Sequence, residues 1–263
     1  MERINILWTG GFDSTFVVCQ LSLLPVAIQP IYISMGRKSE VHELKAMAAI
    51  SEFVNANEKK RCKLLPVKVI MEGDVEENKE LTASYETIYK EYEMGYQQDR
   101  IARLANQMGC KLVQGIEDGP NGTGHLSNAI RKYATIVEGS IKLEGGEAIG
   151  YCELDQSKSR KEMNDIFGRL QFLLPLYYKT KTETLELYKE IGYEEVIPLT
   201  WFCAQPINGL PCGLCNPCDS TIKADMSFRL PKRARILHKL VKKNRVGNFI
   251  FVKIRLLYYR LFR

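Results

Sequence analysis

Apolar residues in the first 116 positions alternate between short continuous runs and helical spacing. Three apolar runs, "INILWT" (4–9), "VAIQPIYI" (26–33) and "KLVQGI" (111–116), have the length and composition of buried strands. Segments 13–24 and 40–57, which follow the first two runs, carry apolar positions at helical spacing. Strands separated by helices of this length predict βαβ units. The fold class is therefore α/β, with a parallel sheet and helices on both faces.

Two further segments extend this pattern. "KLLPVKVI" (63–70) reads as another strand, and Pro66 places it at a sheet edge or breaks it early. Residues 97–108 have apolar side chains along one helical face, and Gly109 supplies the stop.

The remaining segments fit the alternation less well. Residues 80–96 have a helical composition but match no simple strand and helix count, so we interpret them as an insertion or a lid. Residues 118–125, "DGPNGTGH", predict a loop directly after a strand, where ligands gather in such sheets. Beyond it the pattern is clear mainly in 179–193, a helix that Gly192 terminates.

The segment "TGGFDST" lies between the first predicted strand and the first predicted helix. Two glycines allow a tight turn whose N–H groups approach an anion, and the positive end of the helix dipole favours phosphate. No lysine follows the second glycine, so the loop differs from a Walker A loop. A tight turn without a ligand is the alternative. The candidate nucleotide-binding residues are Thr9, Gly10, Gly11, Phe12, Asp13, Ser14 and Thr15.

Four of the eight cysteines lie in sixteen consecutive positions with the spacing C-x8-C-x2-C-x2-C. Short C-x2-C steps let a turn aim successive thiolates at one point, which suits a tetrahedral zinc ion with no open coordination position. We predict a structural Zn²⁺ site, with an iron–sulfur cluster or free thiols as the alternatives. The predicted ligands are Cys203, Cys212, Cys215 and Cys218.

The other four cysteines are isolated in the sequence. We expect each to be a small buried hydrophobic side chain and not a nucleophile. They are Cys19, Cys62, Cys110 and Cys152.

The net charge of +6 conceals an uneven distribution. Residues 229–263 contain twelve Lys or Arg and no acidic residue, which leaves 25 basic and 31 acidic residues, about −6, for the rest of the chain. We therefore predict a main domain over 1–226, with the zinc knuckle at 203–218, and a basic amphipathic tail over 227–263.

The composition and the tail also bear on location and partners. We see neither a secretory signal nor an apolar run long enough to span a membrane, so we expect a cytoplasmic protein. The tail has three interpretations: it docks on the protein's own acidic surface or a neighbouring subunit, lies peripherally on the inner membrane surface, or contacts nucleic-acid backbone.

These motifs together resemble the PP-loop ATP pyrophosphatases, and among them the 7-cyano-7-deazaguanine synthases of queuosine precursor synthesis. "TGGFDST" is similar to the usual Ser-Gly-Gly-x-Asp-Ser, with Thr9 in the first position, and "CGLCNPC" to that family's zinc knuckle. "LPLYYKTKTETLELYKEIGYEEVIPLTWFC" (174–203) and "VQGIEDG" (113–119) also have counterparts there. The resemblance implies the Rossmann-like fold of the adenine-nucleotide α-hydrolases.

The resemblance further implies an ATP-dependent C–N ligase that adenylates the carboxylate of 7-carboxy-7-deazaguanine or a related base and releases pyrophosphate. Ammonia then gives an amide, and a second activation gives the nitrile. It implies ATP, Mg²⁺ and structural Zn²⁺ as the cofactors, and homodimers are common in the family. Asp13, Ser14 and Lys181 would be the catalytic residues, although Lys181 could also be a solvated lysine at a helix start.

One segment departs from the family. Its Gly-Tyr-Pro-Asp-Cys-Arg motif is not recognisable in "EDGPNGTGHLSNAIRKY" (117–133), so the base and the amine acceptor stay open. Candidate substrate contacts there are Glu117, Asp118, Asn128 and Arg131, each of which could instead be loop or helix surface. The alternatives are amidation or conjugation in another pathway, such as surface-polysaccharide tailoring or modification of a partner protein, and a nucleotide-binding scaffold without turnover.

Overall fold

The computed structural model describes residues 1–118 and 125–242. The strands are β1 (Arg3–Leu7), β2 (Ala27–Ser34), β3 (Lys63–Leu64), β4 (Lys68–Met71), β5 (Leu112–Gln114), β6 (Ile136–Lys142), β7 (Ala148–Leu154) and β8 (Leu170–Leu173). The α-helices are α1 (Phe12–Ser22), α2 (Glu40–Ala56), α3 (Lys79–Glu91), α4 (Gln97–Met108), α5 (His125–Tyr133), α6 (Lys161–Phe167), α7 (Lys181–Glu190), α8 (Asn216–Lys223) and α9 (Lys232–Lys242).

The strands form one sheet in the order β3-β2-β1-β5-β8-β7-β6, and β4 also pairs with β2. Parallel pairing joins β1 to β2 and β5, β2 to β3 and β4, and β5 to β8. The sheet is therefore mainly parallel and flanked by helices, which confirms the predicted α/β class. The carboxyl ends of β1 and β5 lie side by side, with Leu7 paired to Gln114.

Several predicted elements lie where the pattern placed them. Helix α4 spans Gln97–Met108 and buries Ile101, Leu104 and Ala105, and Gly109 follows it in the left-handed conformation with φ of 63°. Pro66 falls between β3 and β4, which both pair with β2. Proline has no backbone N–H to donate to the hydrogen-bond ladder between strands, so the predicted strand is interrupted at this point.

The sequence predicts a parallel sheet. In the structure the mainly parallel sheet also contains an antiparallel hairpin of β6 and β7, which pairs with β8. Gly145 and Gly146 occupy its turn with φ of 91° and 86°, a conformation that residues with a Cβ rarely adopt. Within the hairpin, Gly139 faces Tyr151 so closely that an added Cβ would lie 2.6 Å from the tyrosine ring.

Helix α3 belongs to the hydrophobic core. Tyr85 and Ile88 are buried in the same apolar cluster as residues of α4 and α6, for example Leu104 and Phe167. The interpretation of this segment as a lid is therefore wrong for α3. Amphipathic spacing along α3 gives it an apolar stripe, which it buries against these neighbours.

Contacts within the chain divide it into two compact units. The sheet unit comprises Met1–Gly36 and Glu43–Trp201, and the cysteine unit comprises Arg37–His42 and the chain from Phe202 onward. The cysteine unit contains the cysteine cluster, α8 and α9. Among the residues that the structure describes, no helix combines the length and apolar character needed to cross a bilayer.

Candidate active site and candidate metal centre

The glycine loop joins β1 to α1 at the carboxyl end of the sheet. Gly10 has φ of 65°, and a Cβ there would lie 3.0 Å from the carbonyl oxygen of Glu43, so the loop requires glycine at this position. Gly11 is the N-cap residue of α1, and no side chain caps the helix. The first amides of α1 therefore keep the donors that an anion would use at a helix N-terminus.

Contacts from distant parts of the sheet unit hold this loop. The Trp201 backbone N–H donates to the Gly10 carbonyl at 2.8 Å, and the Tyr188 hydroxyl donates to the Phe12 carbonyl at 2.6 Å. Gly115, just after β5, lies so close that an added Cβ would be 2.8 Å from Ser14 Cα. No local sequence pattern marks these contacts.

Not every side chain of the loop is exposed. Thr9 is exposed, and Asp13 and Ser14 are partly buried. Phe12 packs on Tyr188 with ring centroids 5.1 Å apart, and buried Thr15 accepts a hydrogen bond from Trp8 Nε1 at 3.0 Å. The side chains of Phe12 and Thr15 therefore support the loop from within the core.

A lysine lies between two carboxylates beside the loop. Lys181 Nζ lies 3.1 Å from Asp13 Oδ2 and 2.6 Å from Glu117 Oε1. Lys181 is the first residue of α7, whose N-terminus is fixed by a capping box between Thr180 and Glu183. We call these three residues the Asp13–Lys181–Glu117 cluster. A solvated lysine at a helix start does not describe this geometry, because Lys181 is largely buried.

Burial and charge shift the pKa values in this cluster. Burial, followed by repulsion from Asp13, raises the pKa of Glu117 to about 7 against the opposing effect of Lys181. Burial alone would lower the pKa of Lys181, but attraction to Asp13 and Glu117 outweighs it and the pKa is raised. Lys181 therefore stays charged at neutral pH, while Glu117 is divided between its two protonation states.

Glu117 also has unused hydrogen-bonding capacity. Its second oxygen, Oε2, is buried and has no hydrogen-bond partner among the residues described. A buried acceptor without a partner is costly unless a ligand, a proton or water completes it. The cluster therefore offers a cation, a carboxylate and a proton-binding group within about one side-chain length of the glycine loop.

The other candidate substrate residues form a separate group. Arg131 on α5 pairs with Asp118 and donates from Nη2 to Asn128 Oδ1 at 2.6 Å. Asp118 also donates its backbone N–H to the Lys179 carbonyl at 2.9 Å. Residues 119–124 of the predicted substrate loop lie outside the described residues. The structure thus places Glu117 with the catalytic candidates and Asp118, Asn128 and Arg131 with one another.

The four clustered cysteines bring their sulfur atoms together, all within 4.8 Å of one another. Individual Sγ–Sγ distances are 3.8 Å for Cys203 and Cys215, 3.9 Å for Cys212 and Cys218, and 3.4 Å for Cys215 and Cys218. Zn–S bonds of about 2.3 Å in a tetrahedron require sulfur atoms about 3.8 Å apart. The residues therefore fit a metal such as zinc, and none of the four forms a disulfide.

Backbone groups also fit this centre to thiolate ligands. The N–H of Cys212 points to Cys203 Sγ at 3.2 Å, and those of Leu214 and Cys215 point to Cys212 Sγ at 3.3 Å. Such N–H···S bonds stabilise negative charge on sulfur and orient the ligands. Gly213, with φ of 80°, permits the turn that aims them.

The four isolated cysteines all belong to the sheet unit. Cys19, Cys62 and Cys152 are buried, as expected for small hydrophobic side chains, whereas Cys110 is half-buried and accepts a hydrogen bond from Asn5 at 3.5 Å. Burial raises the pKa of the Cys19 thiol well above its ordinary value. A protonated, buried thiol is a poor nucleophile.

Comparisons with known proteins assign no family. No family model and no curated protein matches the chain. It is similar to a solved structure from Methanocaldococcus jannaschii described as a predicted subunit of tRNA methyltransferase. The two share 15% identity over 56% of this chain and 82% of that chain, with a TM-score of 0.27. A likeness this weak carries no argument, so the resemblance to the 7-cyano-7-deazaguanine synthases stays a prediction.

Proposed function

We propose that this protein is an ATP-dependent, AMP-forming ligase that adenylates the carboxylate of 7-carboxy-7-deazaguanine or a related base. The observation that carries the proposal is the Asp13–Lys181–Glu117 cluster beside an uncapped glycine loop at the carboxyl ends of parallel strands. Ligands of open α/β sheets bind at that end of the strands.

The residues of the loop and cluster have separate tasks in this proposal. The amides at the start of α1 would hold the β- and γ-phosphates of ATP, and the Ser14 hydroxyl would add a donor. Lys181 would neutralise charge that develops as pyrophosphate leaves. Asp13 offers the oxygen ligand that Mg²⁺ prefers, and Mg²⁺ when bound would neutralise further phosphate charge.

The proposed reaction balances in two stages. The substrate carboxylate attacks the α-phosphorus of ATP, so that the bond to the β-phosphate oxygen breaks and pyrophosphate leaves. Ammonia then attacks the acyl carbon, AMP leaves with one oxygen of the original carboxylate, and a proton is lost. In the second stage the amide oxygen attacks the α-phosphorus of another ATP and pyrophosphate leaves. The C–O bond then breaks, AMP leaves with that oxygen, and the loss of both N–H protons from nitrogen gives the nitrile. Glu117, with a pKa of about 7, can accept the proton lost from the attacking amine.

A larger amine in place of ammonia is the second candidate. The segment at 117–133 lacks the family's usual motif and forms its own Asp118–Asn128–Arg131 group. A changed acceptor or base would account for that difference. Conjugation to an amine on a partner protein or a saccharide would retain the loop, the cluster and the cysteines.

Isotope transfer tests the adenylation step directly. The full chain would be incubated with ATP, Mg²⁺, ammonium and 7-carboxy-7-deazaguanine labelled with ¹⁸O in the carboxylate. We expect pyrophosphate to be released only when the base is present. We also expect each AMP to carry one ¹⁸O atom. ATP hydrolysis by water would leave AMP unlabelled in ¹⁶O water, which would contradict the proposal.

Two lysine variants sharpen this test. Lys181→Met should lower the rate of pyrophosphate release by about 10²- to 10³-fold, the usual effect of losing one transition-state charge contact. Lys179→Met is the matched control, since the Lys179 side chain lies just before α7 and, among the residues described, pairs with Glu183 at 3.5 Å. Pyrophosphate release that requires another added carboxylate, and not a deazaguanine, would favour a different substrate. No turnover with any carboxylate and amine would favour a nucleotide-binding scaffold.

A further inference from the structure

Helix α9 is firmly seated in the cysteine unit along one side. Ala234 and His238 are buried, and His238 Nε2 lies 2.8 Å from Asp219 Oδ1. Gly213 approaches α9 so closely that an added Cβ would lie 2.3 Å from the Ala234 carbonyl oxygen. The part of the predicted basic tail at 232–242 is therefore an integral helix of this unit.

A second side of α9 carries exposed apolar residues. Ile236 and Leu240, one helical turn apart, are 49% and 62% exposed. Opposite them, the tight turn at 207–210 presents Ile207 and Leu210, which are 47% and 46% exposed. Between the turn and the helix lies an open cleft of about 430 Å³, here called the apolar cleft. Its lining residues are Ile207, Pro211, Cys212, Arg233, Ala234, Ile236, Leu237 and Leu240.

Basic side chains of α9 lie beside the apolar cleft. Arg233, Arg235 and Lys239 are exposed on α9, and Arg233 Nη2 donates to the Ile207 carbonyl at 2.7 Å, which ties the turn to the helix. The sequence from 229 to 263 contains twelve basic residues and no acidic one. Exposed aliphatic side chains with cations at their margin characterise protein surfaces that lie in a membrane interface.

Charge decides among the occupants of the cleft. The chain's own segment at 249–263 carries Lys253, Arg255, Arg260 and Arg263 without an acidic residue, so it would meet like charge. A second copy of α9 would meet the same repulsion. Nucleic acid would pair with the cations, but it has no aliphatic group to fill the cleft. No aromatic ring that could stack on a base lines the cleft. An anionic phospholipid surface matches both the charge and the apolar side chains.

We propose that the apolar cleft and the basic margin of α9 form a peripheral binding surface for anionic phospholipid membranes. Ile207, Leu210, Ile236 and Leu240 enter the headgroup and acyl boundary, while Arg235 and Lys239 contact lipid phosphates. This surface is independent of the glycine loop, and the proposal does not rest on the proposed ligase activity.

Sedimentation with lipid vesicles tests this surface in the full chain. We expect binding to vesicles of phosphatidylcholine with about 30% phosphatidylglycerol, weaker binding to pure phosphatidylcholine, and a decrease at high salt. The double variant Ile236→Ser/Leu240→Ser should reduce the partition coefficient about tenfold or more, because two apolar side chains lose their burial. Arg235→Glu/Lys239→Glu should reduce binding to the anionic vesicles alone.

Matched variants separate this surface from general effects. Val41→Ser/Leu44→Ser changes two exposed apolar residues of α2 and should leave vesicle binding unchanged. Lys158→Glu/Lys189→Glu makes the same change in net charge at exposed positions of the sheet unit and should have little effect. Equal binding of the Ile236/Leu240 variant and the native chain, or equal binding to neutral and anionic vesicles, would overturn the proposal. A third outcome would also overturn it: the native chain binds RNA but no vesicles, and Arg235→Glu/Lys239→Glu abolishes the RNA binding.

Discussion

The two sites of this protein are assembled over very different distances along the chain. The candidate metal centre would take all four sulfur ligands from residues 203–218 of one unit, so its geometry follows from a short spacing and a few turns. The Asp13–Lys181–Glu117 cluster joins a residue of the first helix to one 168 positions later. The first kind of site can be recognised in a sequence from its own residues, whereas the second exists only because the sheet brings its members together.

The comparison predicts different consequences when each site is damaged. A local site that holds a metal should support its own unit, and its loss should unfold that unit. A site assembled by the sheet should depend on the surrounding fold, and its loss should alter charge and chemistry more than folding. Four experiments, in order of decreasing expected effect, test this difference.

Removing the metal should have the largest effect. We expect the native chain to contain zinc and Cys215→Ser to lose it, with destabilisation of the cysteine unit on the order of 5 kcal/mol or more, because structural zinc contributes directly to folding. Metal analysis and hydrogen exchange of residues 202–242 against 1–201 would measure both. Cys110→Ser, an isolated half-buried cysteine, is the control. Iron and visible absorption in the native chain would indicate a cluster instead.

Glu117→Gln should change how stability depends on pH. Folded Glu117 keeps its proton up to a pKa of about 7, while the unfolded chain loses it above about 4.3, so this residue lowers native stability as pH rises through that window. Between pH 4 and pH 8 the free energy of unfolding of the variant should therefore rise by about 3 kcal/mol relative to that of the native chain. Urea denaturation at several pH values measures the difference.

Glu91→Gln is a control of opposite sign. Hydrogen bonding to Arg160 lowers the pKa of Glu91, so its native contribution is present above the unfolded pKa and is lost as pH falls. Because Glu91 lies at the surface, solvent screening should keep this effect small. A pH-independent difference for Glu117→Gln would show that the buried cluster does not perturb this carboxyl.

Gly10→Ala should destabilise the sheet unit by about 2 kcal/mol, because it combines left-handed backbone strain with a close contact to the Glu43 carbonyl. Gly145→Ala is a matched control with φ of 91° but nothing within 4 Å of the added Cβ, so only strain remains. Thermal denaturation should show the larger loss for Gly10→Ala. Equal losses would mean that the loop yields to the added methyl group.

Thr180→Ala should have the smallest effect, about 1 kcal/mol, because it removes the cap of α7 next to Lys181. Thr182→Ala, an exposed position one residue inside the same helix, should cause no loss. Urea denaturation of both variants measures the difference. If the two behave alike, the capping box does not fix the position of Lys181.

The sequence predicted the local features of this molecule well. The glycine loop, the cysteine group and α4 depend on neighbouring residues whose spacing is directly visible. The hairpin of β6 and β7 was missed, although "LEGGEA" (143–148) contains the Gly-Gly pair that marks such a turn. Helix α3 was predicted as a helix, but its packing in the core was not, because the order of helices along a chain does not reveal which of them share a core.

The ion pairs of the Asp13–Lys181–Glu117 cluster could not be predicted from the sequence. Asp13 and Lys181 were predicted as catalytic residues and Glu117 only as a substrate contact, since their separation hides the ion pairs that join them. No sequence pattern indicates that Trp201 and Tyr188 support the glycine loop. Trp201 acts through its backbone N–H, and Tyr188 through a hydroxyl that donates to a backbone carbonyl. Such contacts depend on topology and leave no residue-type pattern.

The hydrogen bond from Trp201 to Gly10 has a consequence for biosynthesis. The glycine loop leaves the ribosome before residues 181, 188 and 201, which restrain it in the folded protein. A nascent chain that ends before residue 181 therefore carries the loop without these three supports. Prematurely terminated products should consequently leave the backbone of the loop unrestrained.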